Sequence, residues 1–246
     1  MNRKTLIPIV AAVGLAVVGG AGAYVYFFSG LRTSPTALAL SSPTAAASAS
    51  ASASPSASTS GTGAGTWQIS SGSLVGYRVK EQFAGQSSSH DAVARTGDVS
   101  GQVTITQSGA TYTMSSATIT VQLSNLASVD SVAGFNVRTR DGIVQRTLDV
   151  SSFPTAVFKA DPVVLPAGAA SGGQVSVTVP GELTVHGVTR KVTATLQLRV
   201  SGGTAQIAGS IQTNMTDFGV RPPQVPITVV QPAVTIEFSL NLTQSA

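Results

Sequence analysis

The chain has 246 residues, of which 10% are charged and 5% aromatic, with a formal net charge of +4 and no cysteine. The lack of cysteine excludes disulfides, thiolate metal sites, a cysteine nucleophile and a thioether-linked lipid anchor. The few Lys and Arg residues are scattered, without the basic stripe a nucleic-acid binder needs to neutralise successive phosphates.

Residues 6–28 form an uncharged apolar run, long enough as a helix to span about 34 Å against a hydrocarbon core of about 30 Å. Arg3 and Lys4 precede it and only Arg32 follows closely. Residues 1–32 therefore read as a cytoplasmic tip and transmembrane signal-anchor, with the rest of a single-pass chain outside the cell membrane. The rival is a cleaved signal peptide ending at Ala37-Leu38-Ala39, but the run is longer than the 7 to 15 apolar residues usual in such signals. Residues 33–66 are built almost wholly from Ser, Ala, Thr, Pro and Gly. Such a segment cannot form a core and reads as a disordered stalk, with a root-mean-square reach of roughly 30 to 35 Å. Gly61-Thr62-Gly63-Ala64-Gly65 lies in this segment with no helix after it, so it reads as linker and not as a phosphate loop.

Residues 67–246 read as one all-β domain whose apolar residues are mainly Val, Ala, Ile and Leu interleaved with Thr, Ser and Gln. Strands are predicted over 74–83, 98–107, 111–123, 155–163, 174–185, 191–200, 204–213 and 233–242. The clearest are two arms in which Val175, Val177, Val179, Leu183 and Val185, then Val192, Ala194, Leu196, Leu198 and Val200, alternate with polar residues around a turn at Gly187. Eight strands joined by short turns suit a closed antiparallel barrel. The stretch 124–152 is too long for a turn. Phe135, Arg138, Ile143, Arg146 and Thr147 have approximate helical spacing there, predicting one or two short helices over a barrel end.

The candidate ligand-lining positions are Val75, Tyr77, Val79, Ile105, Val121, Phe158, Val177, Val185, Leu196, Leu198, Ile207, Ile211 and Phe238 on strands, with Phe135 and Phe218 from connections. Alternation alone leaves two architectures open, a hollow barrel and a filled β-sandwich, because both obey the same binary pattern. No Gly-x-Ser-x-Gly elbow, Walker loop, His-Glu-x-x-His or clustered carboxylate pair occurs, so neither catalytic residues nor a cofactor are predicted. Two isolated histidines make no metal site. His186, at the hairpin turn, is expected to hydrogen-bond the turn, and His90, in the polar run 86–91, to be a solvated loop residue. Arg138, Arg140 and Arg146 form the densest positive patch. They are candidates for clamping an anionic head group, since guanidinium presents paired donors to phosphate; a surface salt bridge or helix cap is the alternative, particularly for Asp141.

Gly181-Glu182-Leu183-Thr184-Val185-His186-Gly187-Val188-Thr189-Arg190-Lys191-Val192, together with Arg138-Thr139-Arg140-Asp141-Gly142 and the Phe153-Pro154 segment, resembles the YceI-like family. The resemblance runs from Trp67 to about Leu242, with Asp217-Phe218-Gly219 in the expected order. It implies an eight-stranded, lipocalin-like barrel that binds isoprenoid lipids. The resulting expectation is a membrane-tethered, extracytoplasmic binder of a polyisoprenoid or similar lipid or quinone, and not an enzyme. The competing class is a cell-surface β-sandwich used for adhesion, sensing or scaffolding.

Overall fold

The computed structural model describes residues 32–41, 63–83, 89–132, 136–225 and 228–245. The apolar run 6–28 and Phe135 lie outside them. In chain order the elements are β1 (Arg32–Thr33), β2 (Gly65–Ile69), β3 (Leu74–Phe83), β4 (Ser89–Thr96), β5 (Val99–Ser108), β6 (Thr111–Gln122), β7 (Ala127–Ser128) and β8 (Ser131–Val132). Helix α1 (Thr139–Thr147) follows, then β9 (Thr155–Ala160), β10 (Val163–Val164), β11 (Val175–Val185), β12 (Val188–Ser201), β13 (Thr204–Asn214), β14 (Gln224–Val225) and β15 (Thr228–Gln244). Among the described residues no helix is long and apolar enough to cross a membrane.

Eight strands close into an antiparallel ring in the order β13-β12-β11-β9-β6-β5-β2-β15, because β15 pairs with β13 on one edge and with β2 on the other. This closure settles the choice between barrel and sandwich. Along the edge that meets β2, the long β15 also pairs with β3, so β2 and β3 are successive stretches of one wall. The β3–β4 hairpin extends that wall towards one end of the barrel, where β7 pairs with β4. We call this the helix end, since α1 and the 3-10 turn Met215–Phe218 lie there.

Period-two alternation sets the two faces of each strand. Val177, Val179, Leu183, Ala194 and Leu198 point inward and are buried, opposite polar residues that face water. Close approach of neighbouring strands needs glycine at Gly209, where a Cβ would lie 2.3 Å from the Thr195 carbonyl oxygen. The sequence pattern missed β4, because its outward face carries Asp91 and Arg95 around Val93 and its inward apolar residues are only Ala92 and Ala94.

A second difference concerns the expected stalk. Residues 32–41 lie along the outside of the barrel as a strap. Arg32 and Thr33 pair with Val132 and Ser131, and the Ser34 hydroxyl donates to the Asp91 carbonyl at 2.5 Å. The carbonyls of Pro35, Thr36 and Ser41 then accept from Arg78 (2.7 Å), Arg95 (2.6 Å) and Arg199 (2.5 Å). Backbone carbonyls need no distinctive side chains, which is why composition alone suggested a free coil.

Candidate functional site: an apolar cavity with one polar corner

The barrel is hollow. A cavity of about 290 Å³ occupies its helix-end half, and a smaller one of about 80 Å³ lies below it. Val103, Met114, Val179, Leu196 and Ile207 line both. Phe158, Leu196, Ile207 and Ile236 point inward yet are only partly buried, because they face this space and not a packed core. At the far end Trp67 (3% exposed), Ala169 (3%) and Leu242 (2%) form a plug, and the indole N–H of Trp67 donates to the Gly63 carbonyl at 3.1 Å. At the helix end Ile143, Val144, Thr147, Leu148 and Pro223 line the larger cavity and are partly exposed. That is where the cavity reaches solvent.

Of the sequence-predicted lining positions, Val75, Tyr77, Val79, Val121, Phe158, Val185, Leu196, Ile207, Ile211, Phe218 and Phe238 line the larger cavity. Ile105, Val177 and Leu198 line the smaller one. Among the three arginines only Arg140 reaches the cavity wall; Arg138, just before α1, and Arg146, on it, are exposed and are not part of that wall. The anionic clamp expected of them is therefore not assembled.

Instead, one corner of the wall holds a buried ionic cluster that sequence reasoning missed. Arg140 donates from both terminal nitrogens to Asp130, at 3.2 and 2.8 Å, and its Nε lies 3.7 Å from Glu81 Oε1. His90 Nε2 lies 2.8 Å from Asp130 Oδ2, and the Val93 amide donates to Asp130 Oδ1 at 3.3 Å. His90 is only 5% exposed on β4, which corrects the expectation of a solvated loop residue. Its partner stands 40 residues away in sequence, so no local pattern announced the pair.

The cluster divides its charge unevenly. Burial acts to raise the Asp130 carboxyl, but hydrogen bonds from His90 and Arg140 and the Arg140 charge outweigh it and hold it at about 2. For Glu81 burial wins and the carboxyl is raised, with Arg140 and His90 opposing. Burial also raises the Tyr77 hydroxyl, so it stands in the cavity wall as a neutral group. Arg140 thus enters the site already neutralised.

The neighbouring residues serve structure. Asp141 accepts from the backbone amide (2.9 Å) and hydroxyl (2.6 Å) of Ser128, pinning β7 to the helix. His186, at φ +52°, has Nδ1 3.3 Å from the Phe218 carbonyl and its ring edge-on to Phe153 at 5.0 Å. The hairpin turn is therefore docked to the 3-10 turn at the cavity's open end, where Phe153 lies against Gly187.

The chain matches the model of the YceI-like domain over residues 67–242. Similar solved structures include a polyisoprenoid-binding domain from Saccharophagus degradans implicated in plant cell wall breakdown. It is 14% identical, with a TM-score of 0.51 over 73% of this chain and 98% of that one. Burkholderia cenocepacia BcnA is 20% identical, with a TM-score of 0.45 over 67% and 95%. A Campylobacter jejuni YceI protein is 16% identical, with a TM-score of 0.35 over 66% and 84%. No curated protein matches the chain. The chain belongs to the YceI-like family.

Proposed function

We propose that this YceI-like protein carries one long apolar molecule, of the polyisoprenoid or quinone kind, whose tail fills the larger cavity and whose neutral polar end meets Tyr77, Glu81 and Arg140. The observation that carries this reading is the cavity of about 290 Å³, whose wall outside that corner is apolar but for Thr147 and Thr213. Each CH₂ moved from water into such a space contributes about 0.8 kcal/mol, so a tail of a few isoprene units offsets the cost of ordering it. A neutral terminus fits better than a phosphate because Asp130 and Glu81 already face the guanidinium of Arg140. A phosphate would have to displace a buried carboxylate or lie beside one. A hydroxyl or carbonyl needs only a hydrogen bond. The protein acts as a binder, for storage or transport, at the outer face of a membrane to which the run 6–28 ties it. The docked strap supports an uncleaved anchor, since cutting after Ala39 would remove the residues that hold Asp91, Arg78 and Arg95.

The test is organic extraction of the purified chain followed by mass spectrometry. A stoichiometric long-chain alcohol, quinone or related lipid is expected, and repeated recovery of an empty barrel would defeat the reading. Polyprenol should also displace that lipid better than polyprenyl phosphate does.

A further inference from the structure

Resting on the membrane-anchored reading above, we propose that the strap holds the barrel with its open helix end against the bilayer surface, so that the cavity mouth faces lipid and not the bulk solvent. The strap begins at this end. Arg32 pairs with Val132, two residues from Asp130, whose partner Arg140 lines the cavity. From there the strap runs away from the mouth, past Asp91, Arg78 and Arg95, to Arg199 near the Ser201–Thr204 turn at the plugged end. Its direction is therefore fixed by bonds at both ends. Only residues 29–31 separate Phe28, the last residue of the apolar run, from Arg32. Four Cα steps span at most about 14 Å. A barrel held by a free stalk would turn at random; this one is tied beside its mouth.

The rim suits that placement. Partly exposed Ile143, Val144 and Pro223 lie at the opening, and Val129 (44% exposed) and Val229 (65%) stand on the same end of the barrel. Exposed Arg138, Arg146 and Arg221 add positive charge, against Asp149 and Asp217. Apolar residues interspersed with arginine are the composition of a surface that settles into an anionic headgroup layer.

The absence of native cysteine makes the orientation measurable with single probes. The full-length chain carrying Val129→Cys at the mouth or Ser108→Cys at the plugged end is labelled with a fluorophore and reconstituted in phosphatidylcholine–phosphatidylglycerol vesicles containing brominated lipid. Quenching several-fold greater at position 129 than at 108 is expected; equal or reversed quenching overturns the proposal. If the chain does not sediment with the vesicles, the anchor reading itself fails and the orientation with it. A second variant carries about twenty Gly/Ser residues inserted between Gly30 and Leu31. It should still sediment with vesicles and retain its lipid, but lose the difference between the two probes. A difference that persists unchanged would overturn the role given to the strap.

Discussion

The β3–β4 hairpin carries a buried ionic cluster on each of its faces, and the two are assembled from different parts of the chain. On the inner face Glu81 and His90 meet Asp130 and Arg140, which arrive from the long connection between β6 and β9. On the outer face Arg78 donates to Glu237 at 2.6 Å and Asp91 at 3.3 Å, and Arg95 reaches Glu237 at 3.3 Å. That outer face would ordinarily meet water, yet Glu237 is 2% exposed and Val93 1%. The strap supplies the difference, bonding to Asp91 and Arg95 on either side of Val93. The inner cluster ties the connection that carries α1 to the barrel, whereas the outer one ties the barrel to the strap. Burial makes both sensitive to loss of a single partner.

The largest effect is expected inside. Asp130→Asn leaves Arg140 and His90 buried without their carboxylate and should cost about 3–5 kcal/mol of unfolding free energy in urea titrations. A loss below about 1 kcal/mol would show that the connection is held by its apolar contacts alone. The same carboxylate predicts an acid limb. Because its folded-state pKa, about 2, lies below the ordinary 3.8, its contribution of about 2 kcal/mol is complete above about pH 5 and is lost as pH falls towards 2. Asp130→Asn should abolish that limb.

The outer cluster should respond less. Glu237→Gln keeps an oxygen for the Arg78 Nε–H, and the strap carbonyls and Asp91 remain, so about 2 kcal/mol is expected. Limited proteolysis should show faster cutting within residues 34–41, and unchanged cutting would separate the strap from the cluster. The smallest effect belongs to Glu81. Its carboxyl is raised by burial, so the sign is opposite to that of Asp130: its contribution favours the fold at low pH and is lost as pH rises from its ordinary value through the raised one. Glu81→Gln should flatten that fall while altering which neutral end group the cavity prefers, read by competition between a polyprenol and a quinone.

What the sequence disclosed followed from period two. The arms of the β11–β12 hairpin pair from Val175 with Leu198 to Val185 with Val188, as their alternation required. The same pattern put the strand positions it selected on the cavity wall, since inward positions become wall once the ring closes. Closure itself was not legible from alternation and entered through the family resemblance. The inner cluster was hidden because its members converge only in the folded chain. The arginine patch misled for a geometric reason. Arg138 precedes α1, and at about 100° per residue both it and Arg146 point well away from the direction of Arg140, so near neighbours in sequence do not share a target. The strap was hidden because the groups that dock it are mostly backbone ones, common to every residue, with only the small hydroxyls of Thr33 and Ser34 added.

The docked strap also changes what a proteolytic nick would do. A cut anywhere in the stretch 42–62 would sever the chain, but residues 32–41 would remain held by the β1–β8 pairing and by Arg78, Arg95 and Arg199. The barrel would persist as a two-piece, non-covalent complex. Separating the two pieces would then require two events, cleavage followed by peeling of the strap, with the rate governed by the slower of them.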